Sequence, residues 1–309
     1  MSSLFHVLNM KKQSFFQMLK RRERQLDEGE QVLMLVNEIR RDHPSMSVRE
    51  IYFKLGPQGM GRDKFEQFCF DRGYRVKKQK NYRVTTDSRG VTRFANLIKD
   101  IELTAVNQVL VSDITYYEMP GKFCYLTLIM DLFSREIVGY GASKSLRTQD
   151  TTLPALKMAI RNCGGNALDG AIIHSDAGGQ YYSKEFKKLT KKLGMNNSMT
   201  EETVYENAHA ERLNGTIKNS YLYCYAPGTF EQLEKQLKRA VHMYNHGKPH
   251  MALNKMTPVQ YRIAHSVDFE NNSSLIQSYF PKSTEHHHYH LNDGIQKRKK
   301  TMSNLVNVI

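Results

Sequence analysis

Several features that define other protein classes are absent from this sequence. No run approaches the roughly 18 consecutive apolar residues of a membrane-spanning helix, so we expect no membrane partner. The four cysteines lie far apart and form no C-x-x-C pair, which argues against a zinc cluster or a disulfide framework. The first residues, MSSLFHVLNMKKQ, lack the apolar core of a signal peptide, and we therefore expect a cytoplasmic protein.

Acidic residues are scarce relative to basic ones. The 309 residues include 45 Lys and Arg against 31 Asp and Glu, which gives a net charge of +14. Such a surplus favours a polyanionic partner, because basic side chains that neutralise phosphates release counterions. Charge alone also fits a ribosomal or a membrane-surface protein. The composition therefore indicates nucleic-acid binding without identifying the nucleic acid.

The first 83 residues have helical patterns. Apolar residues recur with helical spacing in residues 12–42, and Ser47 with Glu50 predicts a capping box at the start of a short second helix. A third helix follows GPQGMG and precedes the basic stretch RVKKQKNYR. Two short helices around a glycine turn favour a helix-turn-helix-like DNA-binding region, and a small helical bundle with a solvated charged surface explains the pattern as well. The basic residues that we expect to contact DNA are Arg62, Lys64, Lys77 and Lys78.

From residue 107 the pattern changes to strands. The segments QVLVSDITYYEMP, FCYLTLIMDLF and IVGYGAS predict a three-stranded antiparallel meander, after which helices and strands alternate. This order predicts one mixed-sheet α/β domain. We therefore divide the chain into an N-terminal helical region (1–42), a helix-turn-helix-like region (43–83), a linker (84–106), an α/β core domain (107–262) and a polar C-terminal tail (263–309).

Three acidic residues are candidates for a metal site. Asp113 lies inside an otherwise apolar strand, where a carboxylate is costly unless it is paired or binds a metal ion. Asp176 ends the buried strand GAIIHS, and Glu211 lies on a helix that begins near residue 207. Taken singly, a strand-end Asp is most often a turn former and a helical Glu is most often a solvated surface residue. Together they could supply the bridging carboxylates of two-metal phosphodiester chemistry.

The helix that carries Glu211 has two distinct faces. At about 100° per residue, Glu211 and Lys218 point in nearly the same direction, with Gly215 between them. Lys218 is therefore a candidate phosphate contact, and Gly215 would let a DNA backbone approach closely. A different face, which we expect to pack on the sheet, carries Leu213, Ile217, Tyr221 and Cys224. Asp131 is expected to belong to a turn.

Several motifs occur in one order along residues 40–262. They are DITY from Asp113, D-x-x-SR-x-IVG from Asp131, HSDAGGQY from His174, ENA from Glu206 with Glu211 and Lys218, YN at Tyr244, PH at Pro249, and TP at Thr257 before Tyr261. In this order the chain resembles the OrfB transposases of the insertion sequence 3 family. The resemblance implies a ribonuclease H-like α/β fold, a mixed sheet with flanking helices, preceded by the helix-turn-helix-like region.

The resemblance also implies an activity and its requirements. Asp113, Asp176 and Glu211 would form a DDE triad that binds two Mg²⁺ ions, with Mn²⁺ as the alternative, and catalyses cleavage and strand transfer at the ends of an insertion sequence. The partners would be double-stranded DNA, as element end and as target, further copies of the chain on that DNA, and an OrfA product. The protein would associate with the bacterial nucleoid.

The loop after Asp176 departs from the family pattern. It reads Ala-Gly-Gly where Arg-Gly-Ser is more usual, and no Trp precedes the first Asp, because the chain has none. Here Gly178 would leave room for a DNA backbone that Gln180 and Tyr181 contact. Two other functions stay open: a ribonuclease H-like nuclease without strand transfer, and a non-catalytic DNA-binding regulator derived from a transposase.

Overall fold

The N-terminal part of the chain forms three helices. A computed structural model describes residues 11–57, 59–76, 94–201 and 207–265, apart from the side chain of Gln25. Helix α1 is Lys12–Asp42, α2 is Val48–Leu55 and α3 is Arg62–Phe70. The predicted capping box is confirmed, since the Ser47 side chain accepts from the Glu50 N–H and the Glu50 carboxylate accepts from the Ser47 N–H.

These helices share a small apolar core. It consists of Val36, Met46, Val48, Ile51, Phe65 and Cys69. We call residues 12–76 the helical module. Lys77, Lys78 and the rest of the predicted basic stretch lie outside the described residues, as does the chain beyond residue 265.

The second part of the chain is a five-stranded mixed sheet with helices on both faces. The strands are β1 Val109–Met119, β2 Lys122–Asp131, β3 Ile137–Ser143, β4 Ile172–Ser175 and β5 Asn196–Met199. Their spatial order is β3-β2-β1-β4-β5, with β1–β2 and β2–β3 antiparallel and β1–β4 and β4–β5 parallel. The predicted meander and the predicted mixed α/β domain are confirmed.

Five further helices complete this domain within the described residues. They are α4 Thr152–Cys163, α5 Lys184–Lys192, α6 Ala208–Ile217, α7 Phe230–Gly247 and α8 Pro258–Ala264. A π-helical turn, Lys218–Leu222, and a short helical turn, Tyr223–Tyr225, extend α6. Short 3-10 turns occupy Gly165–Leu168 and Met251–Leu253. In the described ranges every helix is too short or too polar to cross a bilayer.

Alternation along β1 directs side chains to the two faces of the sheet. Val109, Val111 and Tyr117 join an apolar cluster with residues of α6 and α7, whereas Leu110 joins a second cluster with residues of α4 and α5. Asp113 has the same parity as Val109 and Val111, so it emerges on the face that α6 covers.

Close packing of α4 on the sheet requires a glycine in β3. A Cβ atom on Gly139 would lie 2.3 Å from the Ala155 carbonyl oxygen and 3.0 Å from the Ala159 Cβ. A side chain at this position would therefore push α4 away from β3. This accounts for the glycine in the IVG motif by packing and not by catalysis.

Polar contacts join the helical module to the core. His43 pairs with the Tyr221 hydroxyl at 3.1 Å, and the Lys54 ammonium donates to the Gly247 carbonyl oxygen at 2.8 Å. Glu50 and Lys248 form an ion pair between the two parts. Burial and nearby Lys54 lower the pKa of His43 to about 4, so this imidazole is neutral near pH 7.

Candidate active site

The parallel pairing of β1 with β4 brings two acids side by side. Ser112 is in register with Ser175; Asp113 follows Ser112 within β1, and Asp176 follows Ser175 just past the end of β4. Adjacent strands lie about 4.8 Å apart, so the two backbones deliver both carboxylates to one edge of the sheet. The sequence predicted each strand but not this register.

Asp113 is held in place by two donors. The Asn214 side-chain amide on α6 donates to Asp113 Oδ2 at 2.7 Å, and the Ile114 backbone N–H donates to Oδ1 at 2.9 Å. Burial, with Asp176 and Glu211 close by, raises the pKa of Asp113 to about 7. The acid therefore lies in a site where negative charge is already concentrated.

The other two acids are held more loosely. Asp176 Oδ1 accepts the Gly178 backbone N–H at 3.2 Å, and burial raises the pKa of Asp176. Glu211 lies in the first turn of α6 and is exposed, and burial and the Asp176 carboxylate raise its pKa. Each of the three acids thus interacts electrostatically with another, although they come from two strands and a helix.

The acids do not enclose a metal ion in this conformation. Among the residues that the structure describes, no three of the Asp, Glu, His and Cys side chains stand close enough together to hold one. The three carboxylates are suitable ligands for a hard divalent cation, because such cations prefer oxygen ligands. Burial and mutual repulsion also make three unneutralised carboxylates unfavourable at this edge of the sheet, and a bound cation would neutralise them. Asn207 and Asn214 add two buried amide oxygens without a hydrogen-bond partner in the described residues.

Lys218 lies beside the acids. Its ammonium donates to Thr115 Oγ1 at 2.6 Å and to the Tyr116 carbonyl oxygen at 3.2 Å. Burial lowers the pKa of Lys218, and nearby Asp113 opposes that shift. Lys218 therefore lies near Asp113, and its contact with a phosphate stays a prediction.

Comparison with known proteins identifies the family. Residues 104–203 and residues 194–258 match two families that are each described as Integrase core domain. A 31 kDa protein of insertion element IS600 from Shigella sonnei is 30% identical over 228 residues, which cover 72% of this chain and 83% of that protein. The transposase of insertion sequence IS904 from Lactococcus lactis is 30% identical over 170 residues, 54% of this chain and 66% of that protein. The chain belongs to the insertion-sequence transposases with an integrase core.

The transposase InsK of insertion sequence IS150 from Escherichia coli is 27% identical over 186 residues, 60% of this chain and 65% of that protein. Solved structures are similar too. The HTLV-2 integrase catalytic core in complex with magnesium is 21% identical, with a TM-score of 0.40, over 51% of this chain and 97% of that one. A simian T-cell lymphotropic virus intasome chain is 20% identical, with a TM-score of 0.45, over 67% of this chain and 69% of that one. The two integrase-core matches and the insertion-element relatives confirm, at the level of the family, the resemblance that the motifs indicated.

One expected DNA contact of the transposase is wrong. Tyr181 is only 2% exposed, and its hydroxyl bonds with Ser112 Oγ at 2.8 Å inside the apolar cluster under α4 and α5. In this conformation its side chain is therefore not accessible to DNA. Gln180 is half-buried and donates to the Leu146 carbonyl oxygen, and Gly178 is half-buried with Asp176 Oδ1 3.0 Å from where its Cβ would lie.

A second expectation is wrong at the end of the α6 face. Leu213, Ile217 and Tyr221 are buried against the sheet as predicted, but Cys224 is exposed. The π-helical turn at Lys218–Leu222 precedes Cys224 and has more residues per turn than an α-helix, so each residue rotates the chain by less than about 100° and the period of about 3.6 residues does not continue to Cys224. No residue pattern in the local sequence predicts a π-helical turn at this position.

The basic residues of the helical module have unequal surroundings. The Arg62 guanidinium pairs with Asp63 at 2.7 Å and lies 3.9 Å from Glu66, whereas Lys64 is exposed. Asp131, by contrast, is confirmed in a turn, where it ends β2 and accepts from Ser134 and Asn107.

Sequence reasoning missed two residues beside the acids. Asn214 donates to Asp113, and it lies three positions after Glu211 on the helix, a spacing that places both on neighbouring parts of one face. Asn207, at the start of α6, donates its side-chain amide to the Ser112 carbonyl oxygen at 3.1 Å and so joins the helix to β1. The spacing from Glu211 could have identified Asn214; only the fold identifies the role of Asn207.

Proposed function

We propose that Asp113, Asp176 and Glu211 are the catalytic acids with which this transposase cuts DNA at the ends of an insertion sequence and joins those ends to a new site. The observation that carries the proposal is the convergence of three electrostatically coupled acids from β1, β4 and α6 on one sheet edge. Integrase-core transposases are polynucleotidyl transferases, and this edge offers the carboxylate cluster that such chemistry needs.

The three acids would hold the divalent ions, two Mg²⁺ with Mn²⁺ as the alternative. When bound, such ions activate a water molecule or a DNA 3′-hydroxyl and stabilise the leaving 3′-oxygen. The carboxylates supply hard oxygen ligands, and neutralising them relieves the repulsion that, together with the larger effect of burial, raises the pKa of Asp113.

Neighbouring groups prepare this centre. Asn214 and the Ile114 N–H fix the Asp113 carboxylate, and the Gly178 N–H orients Asp176. Lys218, anchored on β1 through Thr115, places a cation next to the acids, where it would meet a phosphate of the bound strand. No covalent bond between enzyme and DNA is required.

Further DNA contacts would come from both parts of the chain. Gly178 leaves the backbone beside Asp176 without a side chain, and Gln180 lies two residues further on. In residues 43–83 the contacts would be Arg62, Lys64, Lys77 and Lys78. The transposase would act as a multimer on double-stranded DNA, with an OrfA product as a further partner.

The test is strand transfer by acid-to-amide variants. The substrate is a labelled duplex that carries the terminal inverted repeat flanking the coding region, with plasmid DNA as the target. Asp113→Asn, Asp176→Asn and Glu211→Gln should each abolish cleavage and joining while binding of the duplex is retained. Glu234→Gln, an exposed acid on α7, is the matched control and should remain active.

The products separate the competing functions. Joined duplex and plasmid support a transposase, and cut duplex without joined product would support a nuclease without strand transfer. Binding without either product, in the presence of Mg²⁺ or Mn²⁺, would support a non-catalytic regulator. Full activity in any of the three amide variants would remove that residue from the catalytic centre.

A further inference from the structure

The side of α6 next to Glu211 carries polar and basic residues that the catalytic acids do not use. At about 100° per residue, His209, Arg212 and Thr216 lie roughly 100–160° around the helix from Glu211. His209 and Arg212 are exposed, and Thr216 is half-buried. We call this side of α6, together with Arg135, the α6 flank.

Arg135 gives the flank a second guanidinium. It lies in the turn after β2 with φ 63, and its Nη1 atom bonds with His209 Nδ1 at 2.8 Å. Among the described residues, neither Arg135 nor Arg212 forms an ion pair with a carboxylate. Nearby Asp131 stabilises the charge of Arg135 and Arg212 opposes it, so an external anion bound at Arg212 would relieve the repulsion between the two guanidinium groups.

The flank continues into a groove between α6 and the helical module. This groove has a volume of about 720 Å³ and is lined by Ser45, Ser47, Arg49, Arg75, Arg212 and Thr216, among others. Arg49 is neutralised by Glu66, with N–O distances of 2.8 and 3.2 Å. Arg75 lies over the Phe70 ring at 4.5 Å and has no acidic partner in the described residues.

The dimensions suit a nucleic-acid backbone. From His209 to Ser220 the helical backbone advances about 16 Å at roughly 1.5 Å per residue. One strand of duplex DNA presents a phosphate about every 3.4 Å along its axis, so the path spans several phosphates. Guanidinium groups bind phosphate oxygens with two parallel hydrogen bonds, and the hydroxyls of Ser45, Ser47 and Thr216 are further donors.

We propose that the α6 flank and this groove form a phosphate track that carries the backbone of the element-end duplex between the helical module and the catalytic acids, with Arg212 and Arg75 as its two main contacts. The proposal builds on the proposed function, because it assumes that the duplex reaches Asp113, Asp176 and Glu211. It adds a physical connection between the part expected to read DNA and the part expected to cut it.

The test measures how DNA binding depends on salt. The protein carries Asp176→Asn throughout and binds the labelled element-end duplex without divalent ions, so the readout needs no catalysis. Arg212→Ala and Arg75→Ala should each lower the slope of log affinity against log salt by about 0.9, the value for one phosphate contact. Equivalently, the ratio of the parent's DNA affinity to that of each variant should fall about 3.5-fold between roughly 50 and 200 mM salt.

Two controls separate a phosphate contact from a structural role. Arg212→Lys keeps the charge and should keep the parental slope. Arg161→Ala removes an exposed arginine from α4, which packs on the opposite face of the sheet, and should also keep it. Ethylation of individual phosphates should identify one phosphate whose modification weakens the parent but not Arg212→Ala.

If Arg212→Ala or Arg75→Ala kept the parental slope of log affinity against log salt, the proposed phosphate track would be wrong, even if the affinity itself fell. This result is distinguishable from failure of the catalytic proposal. Loss of the track leaves the strand-transfer result for the three acid variants unchanged, and active acid-to-amide variants leave the salt slopes unchanged.

Discussion

Two carboxylates on neighbouring strands, one buried and one half-buried, have different surroundings. Asp131, at the end of β2, is 1% exposed and accepts three hydrogen bonds, from the Asn107 N–H at 2.8 Å, the Ser134 N–H at 2.7 Å and the Ser134 hydroxyl at 2.6 Å. Asp113, inside β1, accepts two and lies near two further acids. Burial raises the pKa of both and hydrogen-bond donors oppose the shift at both, but of the two only Asp113 has neighbouring acids that reinforce it.

This difference in surroundings distinguishes an acid that stabilises the fold from an acid that serves a function. A buried carboxylate whose oxygens are all satisfied stabilises the turn that supplies its donors. A carboxylate whose neighbours increase its electrostatic cost lowers stability, and such a cost is expected where a ligand will relieve it. Asp131 belongs to the first kind and Asp113 to the second.

The largest expected contrast is in activity. Asp113→Asn should reduce strand transfer by at least about 10³-fold, because the amide loses the charge that would bind a divalent ion. Asp131→Asn should change the rate per folded molecule less than about 10-fold. The measurement is joined product per unit of folded protein, with folding followed by circular dichroism. Equal losses of strand transfer in both variants would show that the two acids do not differ in function.

Stability should respond in the reverse order. Asp131→Ala removes the acceptor of three buried donors and should lower the free energy of unfolding by about 3 kcal/mol. Urea denaturation with a constant m-value measures this effect. Glu234→Ala, at an exposed site on α7, is the control and should lie within about 0.5 kcal/mol of the parent. An unchanged free energy in Asp131→Ala would show that the turn does not depend on its acid.

Much of this contrast could be predicted from the sequence. Alternation identified the strands, capping residues identified helix starts, and the motif order selected all three acids. Register could not be predicted, because pairing of Ser112 with Ser175 depends on how two distant segments meet. For the same reason the burial of Tyr181 against Ser112 was missed, since its partner lies 69 residues away.

A smaller effect should follow from the group that orients Asp113. Asn214→Ala removes the 2.7 Å hydrogen bond to Asp113 Oδ2 and should reduce strand transfer about 10–100-fold, the usual cost of losing a residue that orients a metal ligand. Raising the Mg²⁺ concentration should recover part of the activity. Asn166→Ala, at an exposed position of the 3-10 turn Gly165–Leu168, is the matched control. A loss that Mg²⁺ does not change would assign Asn214 to folding instead.

The smallest expected effect is on stability, where the same Asp→Asn substitution should change the free energy of unfolding in opposite directions at the two sites. Asp113→Asn should raise the free energy of unfolding of the metal-free protein by about 1 kcal/mol at pH 8, because it removes repulsion from Asp176 and Glu211. The new NH₂ group cannot accept the hydrogen bond from Asn214, but the Asn214 amide can turn so that its buried oxygen, which has no other partner in the described residues, accepts from that NH₂ group. Asp131→Asn should lower it, because an amide cannot accept all three hydrogen bonds. Thermal unfolding of the two variants beside the parent measures both signs. Destabilisation by Asp113→Asn would mean that its charge is already balanced within the folded chain, and Asp113 would then be an ordinary structural acid like Asp131.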